Sequence, residues 1–160
     1  MENSEPSLKW PGDLLTPKRL DLVVKHRFFR HLIDGNDPGA EEVYRWHIMH
    51  RTKGFERGSW KGTVDDYVRG ARELLASMRE RGFDPAYPVE ITQEGRIMSG
   101  AHRIACALAL GLPIYVRIRK PPKNSADWGE TWFRRAGMKG EALQRLLRDW
   151  KQLQAVAQRA

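Results

Sequence analysis

Five consecutive residues, Ser99-Gly100-Ala101-His102-Arg103, set small side chains beside an imidazole and a guanidinium, where an extended run gives way to an alanine-rich one. A strand ending at Met98 and a helix opening at Ala101-His102 are predicted here. Such a junction exposes first-turn N–H groups at the positive end of a helix dipole, a geometry that holds an anion. Gly100 allows close backbone approach to a phosphate, Arg103 can fork onto its oxygens, and His102 can donate a hydrogen bond or move a proton near neutral pH. The expected ligand is therefore a phosphate group, that of a nucleotide by preference, held by Ser99, Gly100, Ala101, His102 and Arg103. His102 and Arg103 are the expected catalytic pair. The competing reading makes Gly100 a simple turn and leaves His102 and Arg103 as exposed first-turn residues, and five residues do not decide between the two.

A second candidate is His47 with Arg51, four residues apart on one helix face with Tyr44 nearby. That spacing suits an anion-binding shelf for a phosphorylated or sugar-like substrate, against the alternative of a partly buried histidine beside a surface arginine. A base for a hydroxyl acceptor would come from Asp65, Asp66, Glu90, Glu94, Glu41 or Glu42, with none singled out. No pair among His26, His31, His47, His50 and His102 has metal-ligand spacing with a third close ligand, so no metal site is expected. Trp46, Trp60, Trp128, Trp132 and Trp150 offer stacking surfaces for bases, yet tryptophans at helical spacing with leucines favour a core role.

The elements that must position these groups follow from periodicity. Residues 1–17, with Pro6, Pro11, Gly12 and Pro17, read as an irregular arm that docks through Trp10 and Leu14-Leu15. Residues 18–62 form a helical extension: Leu22, Lys25, His26, Phe29 and Ile33 lie at helical spacing before the break at 34–39, and a second helix runs from Glu41-Glu42 towards Gly54. Thr63 and Asp66 make a capping box ahead of the stripe Tyr67, Ala71, Leu74, Leu75 and Met78, which stops at Gly82. Val89 to Thr92, a turn at Glu94-Gly95 and the return Arg96 to Met98 predict a short hairpin. A helix over His102 to Leu110, capped by Gly111 and blocked by Pro113, leads to a strand at Ile114 to Ile118. In residues 120–160, Trp128, Trp132 and Phe133 share a short helix, and Leu143, Leu146, Leu147, Trp150 and Leu153 line a longer one. The fold class expected is α/β (α+β), a small mixed sheet with helices covering it from both ends.

Over 63–119, the series Glu73 to Met78, Gly82-Phe83, Pro88 to Ile91, Gly95 to Arg103 and Ala105 to Val116 resembles the ParB/sulfiredoxin-like superfamily. The resemblance implies a nucleotide-binding core in which the Gly-x-His-Arg loop cradles the phosphates of ATP or CTP, and it places Ser77 on a helix position facing the nucleotide. Three departures bear on function. Sulfiredoxins carry a reactive cysteine immediately before the His-Arg pair, where this chain has Ala101; Cys106 lies about one turn into the helix, so sulfinic-acid reduction is disfavoured. Partition proteins continue into a helix-turn-helix domain that residues 120–160 are too few to form. Many relatives carry aspartate at the place of Ser99, which leaves the placement of Mg2+ open.

Composition sets the outer bounds. The 160-residue chain is 41% hydrophobic and 30% charged, ordinary for a folded domain, with 28 basic against 20 acidic residues and a formal net charge of +8. That excess suits an anionic partner, and it equally suits plain solubility because the arginines are scattered. No apolar run reaches membrane-spanning length, and the single cysteine points to a reducing, cytoplasmic compartment. Together these features predict an ATP- or other nucleotide-dependent phosphotransferase, a small-molecule kinase acting on an amino acid or sugar precursor, with Mg2+ compatible. The alternatives are a nucleic-acid-associated module, either DNA-binding or nuclease, and a non-catalytic nucleotide sensor.

Overall fold

The computed structural model describes residues 4–53, 58–121 and 127–157. In chain order these form β1 (Ser7–Lys9), one turn of 3-10 helix (Pro11–Leu14), α1 (Asp21–Asp34), α2 (Gly39–Thr52), α3 (Val64–Arg81), β2 (Val89–Ile91), α4 (Ala101–Leu110), β3 (Ile114–Ile118), α5 (Glu130–Ala136) and α6 (Gly140–Ala157). Among the described residues the result is a small α+β fold, six helices around a three-stranded mixed sheet of order β1-β3-β2. β3 is central: β2 runs parallel to it with Val89 opposite Val116, and β1 runs antiparallel with Ser7 also opposite Val116.

α3 starts where the sequence places a cap. The Thr63 hydroxyl accepts from the Asp66 N–H at 3.2 Å, and the Asp66 carboxylate accepts from the Thr63 N–H at 3.1 Å. Two first-turn donors are thereby satisfied reciprocally. α1 packs chiefly on α4 and α2. Its Leu22, Phe28 and Phe29 join Tyr44, Ile48, Ile104, Ile114 and Phe133 in a solvent-free core, where the Tyr44 ring stacks on Phe28 at 4.3 Å.

Three expectations change. The N-terminal arm is not irregular throughout: β1 covers one edge of β3, Leu14 and Leu15 are buried, and the Trp10 indole donates to the Ala157 carbonyl at 3.1 Å. Three residues are too few to display a two-residue alternation, but an exposed strand edge needs a partner. The hairpin is real but slight. Ile97 makes a single antiparallel bridge to Ile91, Met98 N–H donates to Glu90, and the main partner of β2 is β3. Trp128 is not in a helix with Trp132 and Phe133. Its N–H donates to Lys18 and its carbonyl accepts from Leu20, lashing residues 18–20 to the segment ahead of α5. A Cβ at Gly129 would lie 2.7 Å from the Pro17 carbonyl, so this close approach requires a glycine there.

Candidate functional site

The return leg after β2 delivers Ser99 and Gly100 alongside Glu90 and Val89, and α4 departs from that point. Gly100 is the N-cap, with φ +91°, a left-handed conformation that side chains resist. A Cβ there would come within 2.9 Å of both the Val89 side chain and the Arg103 guanidinium. α4 has no side-chain cap, and its first helical bond runs from Ile104 N–H to the Gly100 carbonyl. The amides of Ala101, His102 and Arg103 therefore have no acceptor within the helix, and its positive dipole end is uncompensated by any acid in the first turn.

A cavity of about 710 Å3 opens over this helix tip. Ser99, Gly100, Ala101, His102 and Arg103 all line it, as do Arg19, Arg51, Lys61, Trp60, Trp128 and Glu73. Two guanidiniums lie over the Trp128 ring, Arg19 at 4.9 Å and Arg51 at 5.0 Å from its centroid. Arg51 forms no ion pair among the described residues, and its buried Nε lacks a hydrogen-bond partner. Arg103 is occupied locally: its guanidinium donates to the Tyr87 carbonyl and lies 5.7 Å from the Phe83 ring.

Behind the cationic wall is a buried charge cluster. Asp21, without solvent exposure, accepts two bonds from Arg19 at 2.9 and 3.0 Å and one from Lys25 at 2.9 Å. Burial alone would raise the Asp21 pKa, but Lys25 and Arg19 outweigh it and hold the carboxyl well below the usual range. Burial lowers Lys25 to about 8 against the pull of Asp21. The cluster carries two cations per carboxylate, so it adds to the positive field of the cavity.

His102 Nε2 lies 2.7 Å from the Tyr44 hydroxyl, and that hydroxyl reaches the Tyr67 carbonyl at 3.4 Å. Burial raises the Tyr44 pKa, so the phenol keeps its proton. The assignment that satisfies each group has His102 Nε2–H donating to Tyr44 and Tyr44 donating to Tyr67, which leaves a lone pair on His102 Nδ1. Burial first, then the charges of Lys25, Lys61 and Arg51, pushes His102 well below its ordinary pKa, so the ring is neutral at pH 7.

Of the predicted residues, the Ser99–Arg103 set converges on one cavity and Arg51 joins it from α2. His47 does not. It is fully buried one turn earlier, stacked on Phe133 at 5.4 Å, with neither ring nitrogen bonded. Ser77 is not part of the lining, and its hydroxyl accepts from Arg81 at 3.0 Å. Asp65 pairs with Arg45, Asp66 caps α3, Glu41 pairs with Arg45 and Arg72, and Glu90 pairs with Arg119. None of those acids, nor Glu42 or Glu94, lines the cavity. Among the described residues its one carboxylate is Glu73, which is not among the acids singled out from the sequence. Arg19 carries no signal in the sequence and Trp128 is read there with a core role favoured, because the two meet only through tertiary pairing. The Asp21–Lys25 pair had a visible signal, a lysine set in an otherwise apolar helical stripe with an acid four residues before it.

No family model, curated protein or solved structure matches this chain.

Proposed function

We propose that this protein binds a nucleotide, ATP by preference, with its phosphates over the α4 tip, and transfers a phosphoryl group to a small hydroxylated metabolite. One observation carries the proposal: a cavity at an uncapped helix N-terminus whose charged lining, among the described residues, is Arg19, Arg51, Lys61 and Arg103 against the one carboxylate Glu73. Its size lies within the range of small-molecule sites. The resemblance of residues 63–119 to ParB/sulfiredoxin-like proteins supports the same ligand.

Each group then has a role. The amides of Ala101, His102 and Arg103 take phosphate oxygens, as helix N-termini do. Arg51 forks onto them, and Arg103 exchanges the Tyr87 carbonyl for a phosphate oxygen. The acceptor hydroxyl oxygen bonds to the terminal phosphorus as the bond to the bridging oxygen breaks and ADP leaves with the electron pair. The hydroxyl proton passes to Nδ1 of neutral His102. Mg2+ would arrive bound to the nucleotide phosphates, and no step is assigned to a protein-held metal.

Thermal melts with ATP, ADP, CTP and GTP test the binding. At a hundredfold excess over Kd, a bound nucleotide raises the melting temperature by about 5 °C or more. His102→Ala should retain that rise yet abolish ADP release in the presence of hydroxyl acceptors. Binding without ADP release from any acceptor would favour a nucleotide sensor. No nucleotide response, with DNA binding that weakens steeply with salt, would favour the nucleic-acid module to which the net charge of +8 also points.

A further inference from the structure

The cavity has two unlike walls. One is the cationic α4 side described above; the other is a face of α3 formed by Gly70, Glu73 and Leu74, with Trp60 laid against it. Residues three and four apart share a helix face, so these three α3 positions stand together. Gly70 sits in the helix interior, where glycine is unfavourable by roughly 1 kcal/mol against alanine. A Cβ there would lie 3.5 Å from Trp60 Cζ2 and 3.4 Å from Lys61 Cε, so the indole rests directly against this stretch of α3. Arg69 steadies the ring from 4.8 Å away. Trp60 is nonetheless 54% exposed, a large rigid aromatic surface at the mouth of a polar cavity. Glu73 has no ion-pair or hydrogen-bond partner among the described residues, although it faces a cavity rich in arginine. A carboxylate repels phosphate, so the ligand portion beside Glu73 must be distant from the phosphates and carry N–H donors.

We infer that this α3 wall is a nucleobase subsite, with Trp60 as the stacking platform and Glu73 as acceptor for a ring-bound amine; the inference rests on the phosphate reading of the α4 tip. It names the substrate class more narrowly: a nucleotide whose base bears an exocyclic amine. Aromatic stacking supplies affinity to any base, and the carboxylate supplies the preference.

Calorimetric titration of the full chain with ATP, ITP and inorganic tripolyphosphate tests this directly. ITP replaces the adenine amine by a carbonyl, and tripolyphosphate has no base. ATP should bind about tenfold or more tighter than tripolyphosphate, and Trp60→Ala should remove most of that advantage while leaving tripolyphosphate affinity unchanged. Glu73→Gln should reduce the preference for ATP over ITP and leave the melting temperature of the free protein unchanged. Equal binding of ATP and tripolyphosphate would overturn the base subsite while sustaining the phosphate site. An unchanged ATP-to-ITP ratio in Glu73→Gln would remove Glu73 from it. Binding of none of the three would overturn both proposals.

Discussion

Arg51 is the guanidinium best placed to meet a ligand, since it lies over the Trp128 ring, has no ion pair among the described residues, and has its Nε shielded from water. A charged group left in that state gains most from an incoming anion. Arg51→Ala should therefore weaken ATP binding about tenfold to a hundredfold in a titration, with little change in the melting temperature of the free protein. His47 carries a different consequence. Burial holds both His47 and His102 well below their ordinary pKa, and burial brings His26 to about 4. In the unfolded chain these rings take protons near pH 6.5 or so, and the folded chain does not, so the unfolded state binds more protons below that pH. Stability is thus fully present above about pH 6.5 and falls as the pH drops towards the folded-state values. Melting temperatures measured between about pH 7 and 5 should show this decline, and His47→Phe, retaining a flat ring against Phe133, should flatten it. The spacing of His47 and Arg51 was legible in the sequence; that the arginine meets the cavity and the histidine the core was not, because a helical repeat does not say which edge of a face is covered.

At the scale of elements, the decisive feature is the junction between the return leg of β2 and α4. Gly100 combines a positive φ with two contacts that leave no space for a methyl group. Gly100→Ala should cost about 1–2 kcal/mol from backbone conformation alone, read by denaturant unfolding, and should displace Arg103 and so weaken nucleotide binding. This junction was legible because glycine, an alanine-rich helix and an apolar strand each leave a local signature. The capping box at Thr63, the left-handed Gly111 and the strand Ile114–Ile118 were legible for the same reason. β1 and the Trp128 bridge were not, since each takes its shape from a partner distant in sequence: β3 for one, residues 18–20 for the other.

For the whole molecule, Asp21 links site and scaffold. It fixes Arg19, which in turn donates to the Ile97 carbonyl at 3.3 Å, and it neutralises Lys25 within the core. Removing one partner of a buried pair leaves a charge uncompensated, so Asp21→Asn should destabilise the fold by about 3–5 kcal/mol, seen as a large drop in denaturation midpoint. A second cavity of about 650 Å3, lined by Trp10, His26, Arg30, Leu108, Leu153 and Val156 between α1 and α6, offers an internal comparison. Whether phosphate oxygens settle on the tip of α4 can be read from an amide nitrogen–proton correlation spectrum recorded as ATP is added. The largest shifts should fall on the amides of Ala101, His102 and Arg103 and on the Nε–H of Arg51. Shifts confined to the residues of the second cavity, with those four signals unmoved, would contradict that placement.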